Sequence, residues 1–157
     1  MTLELLLQYI TYAAIIVVGI LILGFIKRAT KLPTHAELKK RLTSLCADIN
    51  EFIRGEGDKK EISGYDFFRM ATKCANKANK LAYTVTLMAQ KERDGNLDSI
   101  SVLLEEASAC ISPYKFKAKG IDDLSGLEQA LEKTQKAIAS IDLILERDKD
   151  LRAKRAK

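Results

Sequence analysis

Apolar residues in this chain follow two regimes. From Leu5 to Ile26 they are nearly continuous: LLLQYITYAAIIVVGILILGFI runs 22 residues without a charge. From Thr34 onward they recur every three or four positions, the spacing of one face of an α-helix. At about 1.5 Å rise per residue, the first stretch is long enough to cross a bilayer core about 30 Å thick. A buried soluble helix rarely runs so far without a charge. A cleaved signal peptide needs a basic start and a small-residue cleavage site. Here the start holds Glu4, and the stretch is followed by Lys27-Arg28-Ala29-Thr30-Lys31. The pattern predicts an uncleaved transmembrane helix. Gly19 and Gly24 are five apart and do not form the small-xxx-small pairing motif.

The periodic part divides at turn signals. Pro33 interrupts any helix running on from the anchor, because the residue before proline avoids helical backbone angles. Thr34 and Glu37 then form a capping-box pattern, and Leu38, Leu42, Leu45, Ile49 and Phe52 follow at steps of 4, 3, 4 and 3. A second helix is expected from the Ser63-Gly64-Tyr65-Asp66 cap to about Arg93, with Phe67, Ala71, Cys74, Ala78, Leu81, Val85 and Met88 inward. Its alanine-rich middle suits a closely packed neighbour. Asp94-Gly95-Asn96 reads as a turn. A third helix, about Leu97 to Ile111, turns Ile100, Leu103, Leu104, Ala107 and Ile111 inward and stops at Pro113. The fourth starts at the pattern Ser125-Gly126-Leu127-Glu128. Its apolar seam is Leu124, Leu127, Leu131, Thr134, Ile138, Ile141 and Leu145.

Four amphipathic helices with short or medium connections and no strand pattern predict an all-α fold: a single N-terminal transmembrane helix followed by an antiparallel four-helix bundle. The expected divisions are 1–31 for anchor and basic flank, 34–150 for the bundle, and 151–157 for a basic tail that frays.

Charge sets the orientation. Residues 27–54 hold seven basic and three acidic residues, the largest local excess in a chain of net charge +5. Positive flanks stay on the cytoplasmic side, so the N-terminus is expected outside and the body on the cytoplasmic, matrix or stromal side. Lys27, Arg28, Lys31, Lys39, Lys40 and Arg41 are the expected contacts with anionic lipid headgroups. Nucleic acid is not an expected partner: a basic stripe interleaved with aromatics, or a known binding motif, is missing. The three cysteines, Cys46, Cys74 and Cys110, are widely spaced and fit a reducing compartment rather than a disulfide framework.

No constellation carries catalytic chemistry. His35 is the only histidine; a catalytic triad needs a positioned serine and carboxylate, and at the first turn of its helix His35 is expected on the surface. No close Cys pair suggests zinc. The paired acids Glu105-Glu106 and Asp122-Asp123 are adjacent, so on a helix they point apart. No cofactor is expected. Candidate contacts for a protein partner are the stripe Arg69, Lys73, Lys77 and Lys80, with Tyr114 and Phe116 in the loop after the third helix. The expected function is that of a non-enzymatic, membrane-tethered bundle, an accessory or scaffold subunit. The competing expectation is a small membrane-bound enzyme, or a ligand- or metal-binding bundle, with its site near the core cysteines.

Overall fold

The computed structural model describes residues 12–22, 31–57, 64–116 and 123–155. Every element among them is helical. Helix α1 covers residues 12–22, α2 His35–Gly57, α3 Gly64–Glu92, α4 Gly95–Ile111 and α5 Ser125–Arg155, with a 3-10 turn over Ser112–Phe116. The chain forms two units, Met1–Leu32 and Pro33–Lys157.

In the first unit, the described helix lies inside the uncharged stretch, and residues 5–11 and 23–26 of that stretch fall outside the described residues. Among the described residues no helix is long and apolar enough to cross a membrane. The expected transmembrane span is therefore not seen as one helix. Every large apolar side chain of α1 from Tyr12 to Ile22 is at least 53% exposed.

The second unit is a helical bundle. His35 at the start of α2 meets Glu92 at the end of α3 and Asp148 late in α5. Arg147 of α5 meets Asp94, which caps the start of α4. At the opposite end, Phe52 of α2, Phe67 of α3 and Tyr114 after α4 form an aromatic cluster beside the first turn of α5. Helices α2 and α4 thus run one way and α3 and α5 the other. The four helices form a ring in which each packs closely on its two neighbours, with no close backbone approach across the diagonals.

Leu38, Leu42, Leu45, Ile49 and Phe52 are fully buried, as their spacing predicts. The inward face expected for α3 is buried throughout, and its alanines bring α4 close. Ser101 Oγ donates to the Ala82 carbonyl and Ser108 Oγ to the Ala75 carbonyl, both at 3.2 Å. Side-chain hydroxyls this short reach a neighbouring backbone only where small residues let the helix axes approach. On α4, Leu103 is half-buried instead of inward, and Ser101 and Ser108 occupy the core face with their hydroxyls bonded.

The seam of α5 departs from expectation. Leu127, Ala130, Thr134, Ala137, Ile141 and Ile144 are buried, while Leu124, Leu131, Ile138 and Leu145 are half-buried. The apolar stripe is wide enough to include both sets, and the alanines, one position earlier, point to the centre. A one-residue shift is about 100° of helix rotation. Thr134 sits in this core because its hydroxyl donates to the Ala130 carbonyl at 2.8 Å. The helix also continues through Arg155, so residues 151–155 are helical where a frayed tail was expected.

The Thr34 cap forms as a reciprocal pair. Thr34 N donates to Glu37 Oε2 at 2.9 Å and Glu37 N to Thr34 Oγ1 at 3.3 Å. Ser63, the expected cap of α3, lies outside the described residues. The expected Ser125 cap is replaced. Leu124 supplies the first helical carbonyl, and Asp123 Oδ1 accepts from Ser125 N at 2.9 Å. The Tyr114 hydroxyl accepts from Gly126 N at 3.0 Å and donates to the Asp123 carbonyl at 2.9 Å.

Candidate functional site

Helices α2 and α3 pack side by side and leave a groove whose walls carry most of the residues singled out from sequence. Lys73, Lys77 and Lys80 project from α3 at steps of four and three, and Arg41 stands opposite on α2. These four, with Asn76 and Thr84, line a cleft of about 420 Å³. Further along the same groove a second cleft, about 390 Å³, is lined by Asp48, Glu51, Asp66, Arg69, Lys73 and Cys74 among others.

Asp48 is the hinge between the two halves. Its Oδ1 accepts from Lys73 Nζ at 3.0 Å and its Oδ2 from Lys77 Nζ at 2.5 Å, while Lys77 also donates to Ser44 Oγ at 2.7 Å. Burial pulls the Asp48 carboxyl up, but the hydrogen bonds and charges of Lys77 and Lys73 outweigh it and hold the group below its usual range. In return, its hydrogen bond to Asp48 raises Lys73. The stripe expected to contact a partner is therefore divided: Lys73 and Lys77 are tied to α2, and Arg69 and Lys80 are exposed.

The set expected to contact lipid headgroups is likewise uneven. Lys27 and Arg28 lie outside the described residues. Lys31, Lys40 and Arg41 are exposed, whereas Lys39 is half-buried and bonds Asp142 of α5 at 2.6 Å. Of the two loop aromatics, Phe116 is 86% exposed and remains a candidate contact. Tyr114 does not: it is 3% exposed, because its ring packs against Phe52 and Phe67 and its hydroxyl caps α5.

His35, expected as a surface residue, closes the other end of the bundle. Its Nε2 lies 2.8 Å from Glu92 Oε2 and its Nδ1 2.8 Å from Asp148 Oδ2, with the side chain 15% exposed. A ring carrying a proton on each nitrogen donates both bonds and ties α2 to α3 and α5 at once. The two carboxylates sit on opposite edges of the imidazole, so they cannot converge with it on one ion. Among the described residues no group of three His, Cys, Asp or Glu side chains is placed to hold a metal.

The cysteines are free thiols, Cys74 buried and Cys46 and Cys110 half-buried. Burial pushes Cys74 up to about 11 and also raises Cys46. A nucleophilic cysteine needs the opposite environment, one that favours thiolate. The partners Asp48, Glu92 and Asp148 escaped sequence reasoning because each lies far along the chain from the group it meets. The one available signal was register: once α2 and α3 are set antiparallel, Asp48 falls level with Lys73 and Lys77. No family model, curated protein or solved structure matches the chain.

Proposed function

We propose that this chain is a single-pass membrane protein whose helical bundle serves as a non-enzymatic accessory or scaffold subunit of a membrane-associated complex. One observation carries the reading: α1 is apolar on every side and exposed on every side. A helix with that surface is not stable in water and belongs in an apolar surround. Within the uncharged run Leu5 to Ile26, lipid is the surround that fits. The basic residues that follow set the N-terminus outside and the bundle on the cytoplasmic, matrix or stromal side. The bundle adds surfaces without chemistry: exposed Phe116, Arg69 and Lys80, with the Cys46 and Cys74 thiols pushed up by burial.

The test is carbonate washing of native membranes, then gentle detergent extraction, sizing and mass spectrometry of what co-migrates. The expected result is a chain that resists carbonate and runs in an assembly of fixed stoichiometry. Release by carbonate would sink the anchor. A stable lone monomer or dimer in detergent would remove the scaffold role.

A further inference from the structure

The α2/α3 groove is polarised along its length. Toward the Phe52 end its walls mix Asp48, Glu51 and Asp66 with Arg69 and Lys73, the last of which is shared with the other half. Toward the His35 end they are Arg41, Lys73, Lys77 and Lys80, with no carboxylate among them. Asp48 accepts from two of these lysines, but one carboxylate cannot offset four cations. Arg41 and Lys80 have no acidic partner among the described residues. Like charges held at steps of four and three along one helix repel, and an anion in the groove relieves that repulsion.

From this cluster we propose that the basic half of the groove holds the phosphate of an anionic lipid headgroup, an inference that rests on the membrane-anchored reading above. The guanidinium of Arg41 offers paired donors matched to phosphate oxygens, and the lysines add point charges around it. Asn76 and Thr84 add neutral polar groups to the lining. The position favours lipid over a soluble acidic partner. Arg41 is seven residues past the Thr34 cap, and the chain enters α2 directly from the segment that follows α1. The cationic half of the groove thus lies toward the His35 end of the bundle, the end at which the chain enters α2, and the mixed half lies away from that end. Tyr83, three residues beyond Lys80, is 68% exposed, and an amphipathic ring of this kind suits the headgroup zone.

The experiment uses the full chain reconstituted, bundle outward, in vesicles of phosphatidylcholine alone or mixed with phosphatidylglycerol. An amine-reactive ester labels exposed lysines, and mass spectrometry reads Lys80 relative to Lys136 of α5 in the same molecule. Lys80 is expected to label several-fold more slowly on the anionic vesicles. R41Q should lower the docked-to-undocked ratio about fivefold, the worth of one basic residue at an anionic surface, and K40Q, outside the groove, by clearly less. Equal labelling on both vesicles, or equal losses in R41Q and K40Q, would overturn the groove. Equal protection on neutral vesicles by soluble glycerol phosphate, or by an acidic peptide, would overturn lipid as the source. Carbonate extraction of the same vesicles reads the anchor separately. A released chain with Lys80 protected removes the anchor and keeps the groove, and a retained chain with Lys80 unprotected does the reverse.

Discussion

Gly126→Ala is a sharp test of how the aromatic end of the bundle is built. In the first turns of a helix, glycine to alanine is ordinarily favourable, by up to about 1 kcal/mol. Here the added Cβ would stand 2.8 Å from both Cε2 and the hydroxyl of Tyr114, and 3.1 Å from the Cys110 carbonyl oxygen. Something must move, and the ring has little room. Tyr114 is 3% exposed, with its centroid 6.5 Å from Phe52 and 6.3 Å from Phe67. Overpacking of this kind costs about 1–3 kcal/mol. Displacing the hydroxyl also weakens its bonds to Gly126 N and the Asp123 carbonyl, each worth about 1 kcal/mol. Set against the propensity gain, the balance is a net loss of about 2 kcal/mol.

Urea unfolding in mild detergent, followed by far-ultraviolet circular dichroism, should show a lower midpoint with an unchanged slope. A second background makes the reasoning specific. With Tyr114→Leu in place the ring and hydroxyl are gone, and the same alanine should cost little or stabilise. The coupling between the two sites should therefore be about 2 kcal/mol. A Gly126→Ala protein as stable as the parent, or a cost that persists unchanged in the Tyr114→Leu background, would refute the claim that Tyr114 occupies the space a side chain at position 126 needs.

Other perturbations read the remaining features. Asp48 and Asp94 are both held below the usual carboxylate range, Asp48 by its two lysines against burial and Asp94 chiefly by Arg147. Their contribution is complete above the ordinary carboxylate range and is lost as pH falls through their lowered values. The urea midpoint should hold near neutrality and fall on acidification, and Asp48→Asn should flatten that acid limb. Cys74, pushed up to about 11 by burial, should react with N-ethylmaleimide last of the three thiols and only as the bundle opens, which peptide mapping over time will show. His35→Ala removes two carboxylate contacts and should cost about 1–3 kcal/mol. Hydrogen exchange should locate the loss around Glu92 and Asp148, and uniform loosening of the bundle would contradict a local clasp.

Much of the fold was legible from spacing. The α2 series from Leu38 to Phe52 and the α3 series from Phe67 to Met88 are buried without exception. In both helices one stripe is far more apolar than the rest, so period alone identifies the face. On α5 two neighbouring stripes compete, and hydropathy favours the larger side chains, Leu131 and Ile138. Packing chose Ala130 and Ala137 instead, because helix approach rewards small volume at the centre, a property that a hydropathy pattern does not encode. Ser101 and Ser108 escape the hydropathy pattern for a related reason: a serine is acceptable in a core when a neighbouring carbonyl is within reach, and that carbonyl belongs to another helix.

The site was less legible because its meaning depends on contacts between helices. Arg69, Lys73, Lys77 and Lys80 are one stripe in sequence, yet Asp48 separates them into a paired middle and exposed ends. A charge stripe read on one helix overstates what is free, since the neighbour's counter-charges are invisible until the register is known. The same register turns Arg41 from one member of a basic cluster at the start of α2 into the α2 wall of the groove. Electrostatic readings of a bundle should therefore be made by groove, each shared by two helices, and by that reading the uncompensated charge lies around Arg41 and Lys80.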